Sequence, residues 1–157
     1  MRIELINTGS ELLHGRVLNT HQQWLGQQLA AAGYELTHQQ TVPDTGAAIQ
    51  AAVREAIARS ELVIVTGGLG PTSDDITRQR IAELLDTPLE EHAKTRDRIT
   101  AIFRKIKRPM PEAVLGQAQV PAGAIVLPNR HGTAPGLAMR TPNGWLIMLP
   151  GPPRELR

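Results

Sequence analysis

Leu62-Val63-Ile64-Val65-Thr66-Gly67-Gly68-Leu69-Gly70-Pro71-Thr72-Ser73-Asp74-Asp75-Ile76-Thr77 is the stretch from which the fold is read. Its apolar opening predicts a buried parallel strand, the glycines a turn, and the residues beyond Ile76 a helix. Strand, glycine-rich turn and helix start put bare backbone amides and a helix N-terminus in one place, which favours an anion such as a phosphate. Asp74 and Asp75 would repel that phosphate, and a divalent cation bridging acid and phosphate removes the conflict. The stretch therefore reads as a metal-assisted site for a phosphate-containing small molecule. A plain turn into a capped helix is the competing reading, with Ser73 or Asp74 as N-cap and Asp75 as a first-turn acid. One acid suffices for that role, so the second one points to a metal.

The loop fits neither of two common phosphate motifs. No Gly-Lys-Ser/Thr follows at Walker A spacing, and Ser73 stands where a dinucleotide fingerprint needs its last glycine. Pro71 also removes one amide donor.

Upstream, Arg2–Asn7 alternates as a first strand and ends in the polar turn Thr8–Leu13. Thr20 can cap a helix to about Ala32, closed by Gly33. Tyr34–Val42 reads as a weaker strand, stopped by Pro43-Asp44, and Ile49–Arg59 repeats at helical spacing. Downstream, Ile76–Leu85 gives a short helix, Glu90–Lys107 a longer one, and Glu112–Gln117 a further helical turn. Ile125–Leu127 is a strand, and Leu137–Arg140 with Trp145–Leu149 flank the hairpin signal Thr141-Pro142-Asn143-Gly144. The alternation predicts a single α/β domain over residues 1–157, with a mostly parallel sheet, right-handed crossovers and a C-terminal hairpin.

The 157 residues, 41% apolar and 20% charged, suit one soluble domain. No stretch approaches the roughly 20 apolar residues of a membrane span, and no signal-peptide pattern opens the chain, so a cytoplasmic location is expected. The absence of cysteine excludes disulfides and thiolate chemistry. A net charge of +2 and 3% aromatic residues argue against a nucleic-acid partner. The five histidines show no HExxH-type spacing. The basic run from Lys94 to Arg108 reads as a solvated helix face.

In a parallel sheet the loops at the carboxyl ends of the strands meet along one edge, where ligands bind. Asn7–Glu11, Asp44, Thr66–Asp75 and Asn129 fall there. Glu11, Asp44 and the Asp74/Asp75 pair then supply acids from three segments, enough for one hard metal and a base for water. Dispersed surface acids are the alternative for Glu11 and Asp44.

Several of these segments occur together in a known family. Gly9-Ser10-Glu11-Leu12-Leu13-His14-Gly15, Asn19-Thr20, Asp44, Thr66–Thr77, Asn129, Gly132-Thr133-Ala134-Pro135-Gly136 and Leu149-Pro150-Gly151-Pro152-Pro153 stand in the family's order. They resemble the N-terminal domain of CinA, the competence/damage-inducible family, related to the molybdopterin-binding proteins MoaB and MogA and to the gephyrin G and E domains. The resemblance implies a three-layer α/β/α molybdopterin-binding fold. For some CinA-type domains it implies a metal-dependent pyrophosphohydrolase (Mg, Mn or Co) that cuts ADP-ribose, or a related nucleotide-sugar diphosphate, the former to AMP and ribose 5-phosphate. A molybdopterin- or nucleotide-binding module without turnover is the alternative.

By the same resemblance, Asp75 matches the acid shared with the molybdopterin-binding relatives and Asp74 the extra acid of the CinA type, the two forming the metal pair. Gly67, Gly68, Gly70 and Thr72 match the phosphate-cradling loop. Glu11, Asn19, Asp44, Asn129 and Thr133 match polar pocket positions, with Glu11 and Asp44 as candidate bases. Thr66, Thr77, Gly132 and Gly151 belong to the substrate-binding segments, and His21 replaces a frequent asparagine. Relatives form homo-oligomers, dimers or trimers. They usually continue past the point where this chain ends, so it is expected to be a fragment lacking the C-terminal nicotinamide-mononucleotide deamidase domain.

Overall fold

Every residue of β1 (Ile3–Thr8) is buried, as a strand covered on both faces of a parallel sheet must be. In the computed structural model, which describes residues 1–156, β1 lies between β2 (His38–Val42) and β3 (Leu62–Thr66), parallel to both. Leu5 stands opposite Gln39 on one side and Ile64 on the other. Strand β8 (Gly144–Leu149) extends the parallel set beside β3, with Val65 opposite Met148. Strands β7 (Gly136–Thr141) and β8 form the expected hairpin, and β6 (Ile125–Leu127) closes that side. The order is β2-β1-β3-β8-β7-β6, with β7 alone running against the rest.

Alternation along the strands sends side chains to two separate cores. Ile6, Val63 and Val65 meet Ile49, Val53 and Ala56 of α3 (Gly46–Arg59) and Ile81 of α4 (Thr77–Leu84). Ile3, Leu5 and Ile64 pack on the opposite face with Leu25 of α2 (Thr20–Ala31) and Leu156 of α7 (Pro153–Leu156). Each such fully buried aliphatic side chain contributes roughly 1.5–3 kcal/mol. The three-layer α/β/α architecture is as expected.

A satellite unit was not legible as such. Strand β4 (Leu89–Glu91) pairs antiparallel with β5 (Gln119–Pro121), enclosing α5 (Ala93–Lys105), α6 (Glu112–Leu115) and the 3₁₀ turn Gly116–Ala118. Ile99, Val114 and Ala118 form its own small core with Phe103 and Met110. The helix predicted over Glu90–Lys107 therefore starts only at Ala93. Glu90 and Glu91 are taken into the strand, and the His92 ring accepts from Thr95 N–H as N-cap.

Other boundaries move for local reasons. The strand predicted from Tyr34 begins at His38. Ser10–Leu13, read as a turn, winds into the short helix α1. Asn19 rather than Thr20 caps α2, its Oδ1 accepting from Gln22 N–H at 3.3 Å. Arg140 lies 4.0 Å over the Trp145 ring, a cation–π contact across the hairpin.

Candidate functional site

The glycine stretch leaves β3 at the carboxyl edge of the sheet and does not enter its helix at once. The cap position of α4 is Ile76, which makes no side-chain capping bond. Neither Ser73 nor Asp74 caps the helix, and both aspartates belong to the loop before it. Gly67 (φ +99°) and Gly68 (φ +68°) take backbone conformations that side chains rarely adopt, and each leaves no room for a Cβ: Thr8 lies against Gly67 and Thr77 against Gly68. Thr77 is fully buried, and its N–H donates to Gly68 O at 3.1 Å.

Amide accounting narrows the expected phosphate cradle. Gly67 N–H donates to Leu149 O at 3.0 Å, Pro71 has none, and Thr72 N–H donates to Asp75 Oδ2 at 3.0 Å. The N–H groups of Gly68, Leu69 and Gly70 donate to no protein acceptor among the described residues. The cradle expected over Gly67–Thr72 thus contracts to three consecutive amides.

The aspartate pair divides its work. Asp75 Oδ2 also accepts from the Thr72 hydroxyl at 2.5 Å, so this carboxylate holds the loop in shape. Asp74 is exposed. Its carboxyl is held below the ordinary carboxylate range by the nearby Thr72 hydroxyl and then by its own backbone amide, so it stays ionised at neutral pH. The hydroxyl has one proton and gives it to Asp75 in the geometry seen. Close behind the loop, Arg78 is 3% exposed with its Nε unpaired, and burial lowers its pKa while the Asp75 charge opposes that effect.

Three cavities line this edge, separated by the Pro150–Glu155 segment. One of about 240 Å³ brings together Gly70, Asp75, Thr133 and Gly151, with Gln117 and Glu155. A second of about 290 Å³ holds Glu11, Asn19, His21 and again Gly151. A third of about 410 Å³ holds Asn129 and Glu155. Asn129 is a brace: its Nδ2 donates to Ala134 O at 2.8 Å and Glu155 Oε2 at 2.7 Å, and its Oδ1 accepts from His131 and Gly132 N–H.

Several predicted contact residues make hydrogen bonds within the scaffold. Thr66 is 1% exposed and its hydroxyl accepts from Asn7 Nδ2 at 2.6 Å. Asn19 donates to Asn7 Oδ1 at 2.9 Å. Asp44 Oδ2 accepts from Ser10 N–H at 2.8 Å and lines none of the three cavities. The acids of three segments do not converge: among the described residues no three His, Cys, Asp or Glu side chains are grouped to hold a metal. The reason is local, since Asp44 is spent on joining the β2–α3 and β1–α1 turns. Gln117 and Glu155 were missed. Both come from segments with little apolar periodicity, and only the acid following Pro152-Pro153 at a helix start offered a signal.

Residues 4–157 match the family described as "Probable molybdopterin binding domain". A CinA-like protein of Desulfovibrio desulfuricans is 45% identical over 157 residues, covering 99% of this chain and 36% of its own length. The chain thus spans little more than a third of that relative. The crystal structure of CinA from Thermoplasma acidophilum, a protein of unknown function, superposes with a TM-score of 0.88 at 32% identity, over 99% of this chain and 90% of the other. The molybdopterin biosynthesis enzyme MoaB of Thermus thermophilus shares the fold, with a TM-score of 0.65 at 22% identity over 99% and 84% of the two chains. No described helix is long and apolar enough to cross a membrane.

Proposed function

From the premise that this chain belongs to the molybdopterin-binding domain family, and within it to the CinA proteins, we propose that it binds a nucleotide diphosphate sugar and hydrolyses its pyrophosphate, with ADP-ribose as the substrate and AMP and ribose 5-phosphate as products. The observation that carries this reading is the run of three unpaired amides, Gly68 to Gly70, beside the Asp74/Asp75 pair. Such amides stabilise charge gathering on phosphoryl oxygens.

The donor set suits a divalent cation of the hard, oxygen-seeking kind. Mg²⁺-type sites use one or two carboxylates and complete their shell with water and substrate phosphate, so the missing third protein ligand is no obstacle. Asp74 and the free Oδ1 of Asp75 would hold the ion, which when bound supplies charge neutralisation and a more acidic water. Glu11, whose carboxylate lies against Gly9 in the neighbouring cavity, is the better proton acceptor, because Asp44 is held by Ser10.

Incubation with ADP-ribose and Mg²⁺, Mn²⁺ or Co²⁺ tests the proposal. It expects AMP release that EDTA abolishes and that Asp75→Ala lowers at least 100-fold, an effect of the size seen when a transition-state donor is lost (~10²–10³). Metal-independent release, or full activity in Asp75→Ala, would sink it.

A second reading has its own observation. Asp75 is engaged by Thr72, and among the described residues no three metal-ligating side chains are grouped, which favours a module that holds a pterin or nucleotide phosphate without turnover. Calorimetric titration with ADP-ribose, AMP and a pterin phosphate separates the two, since tight binding without AMP release assigns the second. Homo-oligomerisation is likewise proposed, and light scattering on the purified chain decides it.

A further inference from the structure

Charge is unevenly shared along this chain. Residues 93–108 hold seven Lys and Arg against one acid, Asp97, while the remainder holds ten against fourteen acids. The net charge of +2 is thus the average of a segment at +6 and a body at −4. That segment is α5 with the turn after it, in the satellite unit, and it lines none of the three cavities at the sheet edge.

Helical spacing sets Lys94, Arg98 and Lys105 in one stripe (i, i+4, i+11), and Arg104, Lys107 and Arg108 surround its far end. None of these six makes an ion pair or side-chain hydrogen bond among the described residues. Arg96, on another face, is paired with Glu91 at 3.0 Å and Asp97 at 3.2 Å. Local energetics oppose the stripe at three points. Lys94 stands in the first turn, where the helix dipole disfavours a cation, and it repels Arg98 at i, i+4. Lys107 takes a left-handed backbone (φ +53°) that favours glycine. Only Arg104 and Lys105, in the last turn, stand where the dipole favours them.

We propose that this stripe docks on the phosphate backbone of double-stranded DNA without reading its sequence. Its run of about 16 Å along the helix axis covers about five phosphates of one strand. The whole-chain charge argues against a nucleic-acid partner only while that charge is taken as evenly spread. Other polyanionic surfaces fit less well. Ile99 turns the apolar face of α5 onto Val114 and Ala118, so no apolar face is left to enter a bilayer, and Ile106 is the one large aliphatic exposed among the cations. Phe103, the segment's one Phe, Tyr or Trp, packs on that same core, which leaves neither a protein-interface anchor nor a stacking platform for single strands. The hydroxyls of Thr95 and Thr100 are engaged by His92 and Arg96, so none stands ready for the 2′-hydroxyls of RNA. This surface is separate from the phosphate-ligand reading above, and neither depends on the other.

Fluorescence anisotropy with a duplex of about 20 base pairs, from about 50 to about 200 mM salt, tests it. Six phosphate contacts predict a slope of log K against log salt near −5, about a thousandfold loss of affinity over that range. Arg98→Gln with Lys105→Gln is expected to flatten the slope by about 2, equally on two unrelated sequences. Arg98→Lys with Lys105→Arg is expected to restore it, since the contact asks for charge. Arg96→Gln, whose cation is already paired, is expected to leave the slope unchanged. Absence of binding at the lowest salt, a slope unmoved in the double Gln variant, or an equal loss in Arg96→Gln overturns the proposal. Tighter binding to single-stranded DNA or to duplex RNA overturns it too, as does sedimentation with phosphatidylserine vesicles without DNA binding. Competition by ADP-ribose would put the DNA on the glycine loop and refute the stripe alone, whereas failure to bind DNA leaves the phosphate-ligand reading standing.

Discussion

Thr72 and Asp75 clasp the glycine loop between them: Asp75 Oδ2 accepts from the Thr72 N–H at 3.0 Å and from its hydroxyl at 2.5 Å, while Thr72 O accepts from Asp75 N–H at 3.1 Å. A carboxylate that shapes a loop and also borders a cavity can have two roles, which substitution can separate. Thr72→Val removes the hydroxyl and keeps both backbone links. It is expected to weaken pyrophosphate binding about tenfold, the worth of one charge-assisted hydrogen bond. Asp75→Ala is expected to weaken it further. Calorimetry on the pair checks the order, and equal losses would mean that Asp75 acts only through the loop.

Gly68→Ala tests the backbone conformation. The position has φ +68° and Thr77 packed where a methyl would go. A cost of about 1–3 kcal/mol is expected. Urea unfolding should show the lower midpoint, together with loss of pyrophosphate binding.

Asn7 is a fully buried junction of the sheet edge. It donates to Thr66 and accepts from Asn19 at 2.9 Å and Gln39 at 3.1 Å, joining β1, β3, β2 and the cap of α2. Asn7→Leu leaves those three partners without it and is expected to destabilise the protein by about 3 kcal/mol. Chemical denaturation measures this, and a change under about 0.5 kcal/mol would show that water replaces the amide.

Glu4 makes stability fall in acid. Its carboxylate, 1% exposed, accepts from Arg59 Nε and Nη2 at 2.7 and 2.8 Å and from Ser60 Oγ at 2.5 Å. The Arg59 hydrogen bond is the main cause holding its carboxyl below the ordinary 4.5, against the opposing effect of burial. Folding favours the ionised form, so this contribution is complete above the unfolded-state value and disappears as pH drops through the lower folded-state value. Melting curves from pH about 6 to about 3 should fall more steeply for wild type than for Glu4→Gln, which starts lower. Parallel curves would contradict this role.

The strands were legible where burial leaves a pattern. Leu62–Thr66, enclosed by neighbours on both sides, is a continuous apolar run, and Gly144–Leu149 is announced by its turn. Leu89–Glu91 carries no such mark. It is three residues long with two acids, and it exists because Gln119–Pro121 offers a partner about thirty residues later. The candidate site divides in the same way. The glycines and the Asp74/Asp75 pair announced themselves because turn and charge are local chemistry. Gln117 and Glu155 did not, since one is an ordinary amide and the other an ordinary helix-start acid until the chain folds around them.

Local order, then, was written in the residues themselves: the parallel α/β alternation, the turn that only glycine can make at Gly67 and Gly68, and the acids that follow it. Folding alone decided how these were used. Hydrogen bonds across the sheet edge took Asp44, Thr66 and Asn19 into the scaffold, and Gly67 gave its amide to Leu149. The satellite unit and the last helix set Gln117 and Glu155 on one cavity with Asp75. Each polar group in a chain has several partners within chemical reach, and only the three-dimensional arrangement determines which it meets and which is left open for a ligand.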